Sequence, residues 1–569
     1  MPASRRRRSP RFPSNPLSRR EVLALGSSGA VALLLTRCAS LGTPSGQAGA
    51  PTSALPFGPI DRTLGDLAPP AFAGEEPEPA HSILWDRDTF LAAAPPPETV
   101  ERVPLVVVGG GISGLATAWQ LRRHQPLVLE RSPRFGGSSR GQSWRGIDYA
   151  IGAAYFIRPD AGSPIETFLD GLALAPRVKT EEDPVILAGE RFDAFWEGAS
   201  TRVGAAQIRR LARHFRAVLE EEEGQLFPDI PVIDPQRRAH VDALDRRSFL
   251  DYLQEVAGGP LHPHAASVIE HYCWSSLGAS MGEVSAAAGL NFYASEFGEV
   301  CVLPGGNAAV AERLVERLAA ELPPGRLRPA CLVVDVQAGD DGVLVRYADA
   351  GGTVRTVMAR AVVLACPKFI AGRVVRELEE ARLAAIARLR YRAYLVANVL
   401  LARGVTHDFY DLFLAGDGTA PYPDVEAAAQ RQGATDVVLA TWARPQGDHT
   451  VLTLYRALPF DGGRAAVYDD HSYASYRAEF ARQLEREILP LVGARHGDVV
   501  DLRVARWGHP LPVAEVGFIA DRLPEVLGAP FRERVFFVQQ DTWALPAFET
   551  AVTEAILTAP KITRVLDGR

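Results

Sequence analysis

The strongest chemical signal in this 569-residue chain lies between residues 105 and 130. Gly109-Gly110-Gly111-Ile112-Ser113-Gly114 follows directly on the apolar run Leu105-Val106-Val107-Val108 and leads into a helical pattern from Leu115 to Arg123. A second apolar run, Leu127-Val128-Leu129, ends at Glu130, 19 residues after Gly111. Strand, glycine turn, helix, strand and acid in that order make a dinucleotide-binding unit. Gly109 permits the tight turn, Gly111 lets a pyrophosphate approach the backbone, and Gly114 lets helix and strand pack closely. The helix N-terminus, at Ile112 and Ser113, supplies amide donors and a positive dipole end. Glu130 is placed to accept hydrogen bonds from an adenosine ribose.

The residues after Glu130 narrow the nucleotide. They run Arg131-Ser132-Pro133-Arg134-Phe135-Gly136-Gly137-Ser138-Ser139. A Gly-Gly pair just after the acid resembles the second fingerprint of the flavin-dependent amine oxidase superfamily. That group contains monoamine and polyamine oxidases, protoporphyrinogen oxidase and the carotenoid and phytoene desaturases. Asp148-Tyr149-Ala150-Ile151-Gly152-Ala153-Ala154-Tyr155 resembles the segment that passes the flavin ring in those proteins. Pro304-Gly305-Gly306-Asn307, followed by a helical pattern from Ala308 to Ala320, resembles their PGG turn.

The resemblance implies FAD as cofactor and an α/β fold. In that fold a Rossmann-like FAD-binding domain is assembled from discontinuous segments, with an inserted α+β substrate domain. It implies cofactor contacts from Arg131, Gly136, Gly137 and Ser138, from Gly152, Ala153 and Ala154 beside the ring, and from the backbone of Val333 against the adenine. The strand Val535 to Val538 leads to Asp541, at the position of the family's ribityl-binding acid. Thr550 and Ala551 then open a last helix that faces the flavin. Gln540 and Thr550 stand where the family commonly has Gly.

On the substrate side the same matching puts Val396 at the position of a Lys that contacts flavin N5 through water, and Ala547 at one of the paired aromatic positions. No Cys follows Cys366, which excludes the C-terminal Cys-linked flavin of monoamine oxidases and implies non-covalent FAD. The candidate catalytic side chains are Tyr155, Trp507 and Trp543, with His509 as a further group able to line the pocket. The expected activity is hydride transfer from an amine-like or unsaturated organic substrate to FAD, with simple monoamines poor. The alternatives are a polyprenoid desaturase-like enzyme and a flavin-bearing binding or assembly protein without turnover.

These groups need elements from distant parts of the chain. Residues 103–160, 300–370 and 505–569 are assigned to the FAD-binding domain, and 161–299 and 371–504 to the substrate domain. Helical patterns run over Val203 to Glu222 and Arg247 to Val256. Strand-like runs cover Tyr394 to Leu401, Val437 to Trp442 and Thr450 to Tyr455. A mixed sheet with helices over one face follows. Glu220-Glu221-Glu222-Glu223 reads as a solvated helix end.

Composition is that of a globular protein, 47% hydrophobic and 23% charged. The formal charge of −7 is uneven, because seven Arg and no acid occupy the first 20 residues. The remainder is acidic, which argues against a nucleic-acid partner. The five Cys show no metal-ligand spacing, and no metal is expected. Residues 1–38 read as a signal peptide, with Ser18-Arg19-Arg20-Glu21-Val22-Leu23 resembling a twin-arginine motif. The apolar run Val22 to Leu35 is too short for a span that needs roughly 20 residues. Leu35-Thr36-Arg37-Cys38 resembles a lipobox, which would make Cys38 a lipid anchor. The expected partners are the twin-arginine export machinery and a small-molecule substrate. The expected location is the periplasm or the outer side of the inner membrane. Residues 39–102, rich in Pro, Ala and Gly, read as an extended or loosely packed linker.

Overall fold

The computed structural model describes residues 55–568 except 65–71, 96–98, 199–203, 221–225, 407, 423–426, 429–430 and 446. The twin-arginine motif, Cys38 and Glu221 to Glu223 lie outside the described residues.

Leu105, Val106 and Val107 are wholly buried, as a strand covered on both faces must be. Their strand, Val100–Val108, sits inside a seven-stranded sheet. On one side it pairs in parallel with Leu127–Leu129, which in turn pairs with Leu327–Arg328. On the other it pairs in parallel with Val354–Leu364. That strand continues into the antiparallel pair Gly342–Ala348 and Leu332–Gly339, and its end also takes Val535–Phe537 in parallel. Leu105 and Val107 share a core with the helices Ile112–Gln120, Ala308–Glu321 and Phe548–Asp567. Val106 and Val108 pack on the opposite face.

A second seven-stranded sheet has the order Val499–Pro512, Tyr391–Leu401, Thr450–Leu458, Asp436–Leu439, Asp411–Leu414, Val185–Leu187, Glu190–Phe192. The helices Ala205–Glu220, Phe249–Ala257, Pro263–Tyr272 and Ala286–Ser295 build an apolar core with Val185 and Leu187 of this sheet. Val499–Pro512 pairs with Tyr391–Leu401 over nearly its whole length, so residue 505 falls inside an element.

The described part of residues 39–102 differs from a loose linker. Ile60–Asp61 adds a parallel strand to Gly141–Trp144. Ala80–Trp85 and Arg87–Ala93 are helical, with Ala80 and Leu84 buried in the core that holds Val106. The Pro, Ala and Gly content conceals a sparse set of anchors, including Phe57, Ile60 and Leu84, each seated in a core or a strand pair. Among the described residues no helix is long and apolar enough to cross a membrane.

Candidate active site

The glycine turn has the geometry its sequence implies. Gly109 has φ +107°, in the region that favours glycine, and a Cβ on Gly114 would lie 1.9 Å from the Gly109 carbonyl oxygen. The Gly136 amide donates to the Gly110 carbonyl at 2.7 Å, which fastens the Gly-Gly pair to the turn. Glu130 fixes both from below: one carboxylate oxygen accepts from the Gly110 amide at 2.7 Å, the other from Ser132 at 2.8 Å.

This cradle opens into a cavity of about 1150 Å³. Every expected cofactor residue except Gly114, Gly136 and Asp541 lines it, and so do Tyr155 and Trp507. The donor set fits FAD. The first turn of the helix from Ile112 presents amides without intrahelical acceptors. Thr550 and Asn307, each 1% exposed, line the cavity with Oγ1 and Oδ1 unpartnered within the protein.

Two expectations need correction. Asp541 is fully buried away from the cavity, and its carboxylate is already engaged. One oxygen accepts from Lys368 Nζ at 2.7 Å, the other from the Lys368 amide and the Tyr391 hydroxyl, each at 2.7 Å. A buried Lys needs a counter-charge, and Asp541 supplies it; Gln539 and Gln540 reach the cavity instead. Trp543 is also outside the cavity, its indole Nε1 donating to Glu554 at 2.7 Å.

The wall opposite the cradle is the second sheet. Val396, Tyr455 and Asp436 stand side by side in register on three adjacent strands, and all three line the cavity with Tyr394 and Asp411. Asp436 accepts from Ser275 Oγ at 2.6 Å and from Thr435 Oγ1, and Ser275 Oγ lies 3.1 Å from the Tyr394 hydroxyl. Ser275 is carried by a π-turn, Cys273–Leu277, that ends the preceding helix. Asp411 accepts from the Val437 amide at 3.0 Å and hydrogen-bonds Asp436. Burial pushes both carboxyls up, Asp411 well above its usual range because the charges of Asp436 and Asp183 add to burial. Asp183 itself pairs with Lys179 at 2.9 Å. Asp411 is the one of the two left holding a proton, toward Asp436, whose carboxylate is favoured by the hydroxyls of Ser275 and Thr435.

Tyr155 donates to Glu296 at 3.0 Å, and Tyr272 donates to the same carboxyl at 2.8 Å. Tyr455 and Tyr410 donate to the carbonyls of Gly152 and Ala154, at 2.5 and 3.3 Å, and so hold the segment that carries Tyr155. His509 lines the cavity beside Glu75. Asp411, Asp436 and Glu296 did not emerge from the sequence. Their only signal there is a lone acid beside an apolar run, as in Asp436-Val437-Val438-Leu439. Among the described residues no group of three or more His, Cys, Asp or Glu is arranged to hold a metal.

A dinucleotide cradle on the parallel strands of a mixed sheet, facing a second sheet across one cavity, defines a flavoprotein oxidoreductase. The chain belongs to the flavin containing amine oxidoreductase family, whose model matches residues 112–457. Its cofactor is FAD. It is similar to the oxidoreductase PigB of a Serratia species, with 22% identity over 527 residues, 82% of this chain and 77% of that protein. Among solved structures it is similar to putrescine oxidase bound to putrescine, at 20% identity and a TM-score of 0.59, covering 82% of this chain and 100% of that one. Cyclohexylamine oxidase from Brevibacterium oxydans IH-35A gives 18% identity and a TM-score of 0.57, covering 82% and 99%. At these identities the likeness to the solved structures is one of fold.

Proposed function

We propose that the protein is an exported oxidoreductase that removes a hydride from a nitrogen-bearing organic substrate held between the FAD and Asp436. The observation that carries this reading is the buried acceptor on the cavity wall: Asp436, with Asp411, Ser275 and Tyr394 around it. A polyprenoid channel calls for apolar walls, and this wall buries carboxyls instead. FAD, when bound, supplies the hydride acceptor. The chain's residues do the rest. Asp436 accepts a hydrogen bond from a substrate N–H and takes its proton as the C–H bond is broken. Tyr155, fixed by Glu296, orients the substrate. Val396 offers no polar atom to hold a water at its place on the wall.

The test is anaerobic mixing of the holoprotein with cyclohexylamine, putrescine, pyrrolidine and an amino acid, following loss of flavin absorbance. Simple monoamines should reduce the flavin slowly. The best reductant of the panel should lose most of its rate in Asp436→Asn at unchanged FAD content. Fast reduction by cyclohexylamine, or an unaffected Asp436→Asn, counts against the reading.

Export rests on the Ser18 to Leu23 motif and on the cofactor. The cavity draws walls from residues near 109 and near 551, so FAD joins a nearly complete fold. A twin-arginine route carries folded cargo. Arg19→Lys with Arg20→Lys should leave the protein in the cytoplasm. We propose a location on the outer side of the inner membrane, with Cys38 as anchor. Cys38→Ser should then move the protein from the membrane to the soluble fraction; a soluble unsubstituted protein removes the anchor.

A further inference from the structure

We propose that residues 73–76 belong to the FAD site: they form a strap in which Glu75 clamps the two facing walls of the cavity together and so retains the cofactor. The inference rests on FAD being the cavity's occupant.

The strap is bonded to both walls. On the second sheet, Arg506 donates its amide to the Ala73 carbonyl at 2.9 Å and accepts from the Glu75 amide at 2.7 Å. The contact is close enough that a Cβ on Gly74 would lie 2.1 Å from the Arg506 carbonyl oxygen. The Glu75 carboxylate then accepts from the amides of Gly508 and His509, at 3.1 and 3.0 Å, and lies 3.2 Å from His509 Nδ1. From the dinucleotide wall, Arg131 donates to the Glu76 carbonyl at 2.5 Å and Arg140 donates to the Gly74 carbonyl. Arg131 also stands 3.6 Å from the Glu75 carboxylate. Burial alone would raise that carboxyl, but His509 and Arg131 hold it at about 2. It is therefore a fixed charge at any working pH.

Glu75, Arg131, Arg140 and His509 all line the cavity. Arg140 forms no ion pair among the described residues, its Nε donating to the Gly137 carbonyl at 3.0 Å and its guanidinium lying 5.0 Å from the Trp507 ring. Burial lowers it to about 10. A half-buried guanidinium with no carboxylate at ion-pair distance among the described residues, beside the Gly-Gly pair, is complementary to the diphosphate of a dinucleotide. The strap carbonyl at Gly74 fixes that guanidinium, and Glu75 closes the gap between Arg131 and strand Val499–Pro512. Dissociation of FAD then requires the strap to let go of one wall.

The experiment compares purified holoprotein with Glu75→Ala, Arg140→Met and, as control, Glu76→Ala, which removes an exposed side chain and keeps the carbonyl that Arg131 binds. FAD release after dilution is read by the fluorescence of free FAD, and melting is recorded with and without FAD. Glu75→Ala should release FAD on the order of tenfold faster or more, the scale of one lost charge-assisted hydrogen bond. Its melting temperature should fall more with FAD than without, since only a residue of the site changes the linkage to ligand. Arg140→Met should also release FAD faster, and Glu76→Ala should match the unsubstituted protein. Equal losses of melting temperature with and without FAD, at unchanged release, would make Glu75 a fold-stabilising residue and overturn the proposal. If Glu75→Ala does not fold, Glu75→Gln, which keeps an acceptor for the two amides, is read in the same way. An unsubstituted protein that carries no FAD removes the cofactor reading itself, a result separable from all of these.

Discussion

Asp541→Ala should destabilise the protein by roughly 3–5 kcal/mol, the scale of breaking a buried ion pair from one side, and should do so whether or not FAD is bound. The size follows from what the carboxylate holds. Lys368 is 1% exposed, and besides Asp541 its ammonium donates to Thr542 Oγ1 at 2.9 Å. Removing Asp541 leaves that charge buried and also strands the Lys368 amide and the Tyr391 hydroxyl. The pair itself is worth far less than its breakage, because desolvation opposes the attraction. Lys368→Met combined with Asp541→Leu should therefore recover much of the lost stability. Urea unfolding of apo- and holoprotein, followed by Trp fluorescence, gives the stability change; FAD titration of the apoprotein gives the affinity. An unaltered apoprotein midpoint with FAD affinity weakened a hundredfold would refute the structural role and return Asp541 to the cofactor.

Glu130→Ala should weaken FAD binding by a factor of roughly 10 to 100, since a hydrogen bond to a charged group is worth about 1.5–3 kcal/mol; unchanged affinity by titration would place the ribose elsewhere. Acid precipitation should leave FAD in the supernatant, and flavin retained in the pellet would mean a covalent link. Glu270, 4% exposed, is raised by burial from 4.5 to about 7. The folded state then holds that proton more tightly than the unfolded state. Stability falls as pH rises from about 4.5 to about 7 and levels off above, by roughly 3 kcal/mol in all. Glu270→Gln removes this slope, so its stability advantage in urea should be larger at pH 8 than at pH 5. An equal difference at both pH values would show that the carboxyl titrates normally.

The nucleotide half of the molecule was legible because its signals are local. Gly109 to Gly114, Glu130 and Gly136-Gly137 act within one βαβ unit, and their spacing alone restricts the backbone. The acidic wall was not legible. Asp436 and Asp411 meet only because their strands pair in one register, and Ser275 reaches them from a π-turn far away in sequence. Asp541 misled for a related reason. Its place at the end of a buried strand is that of a family cofactor ligand, but the nearby buried Lys368 claims it, and no local pattern announces that Lys. Glu75 was hidden by composition: Pro, Ala and Gly around it read as linker, while its half-buried carboxylate is what bonds this segment to the Gly508 and His509 amides.

The strand Val354–Leu364 lies between the first strand of the sheet and the last, Val100–Val108 and Val535–Phe537. About 245 residues separate Val108 from Val354, and the final partner, Val535–Phe537, follows later still in the chain. Closing loops of this length adds little to the equilibrium cost, which grows only logarithmically. It weighs on rate, because such pairings cannot reward the chain until both ends are present. During translation Leu105 to Val108 can pair with Leu127–Leu129 but waits for its second parallel neighbour, Val354–Leu364, and until then presents an apolar edge able to pair with another chain. A chain lacking residues 535–569 is therefore not a smaller flavoprotein but a sheet whose strand Val354–Leu364 ends, at Val362 to Leu364, with one side unpaired.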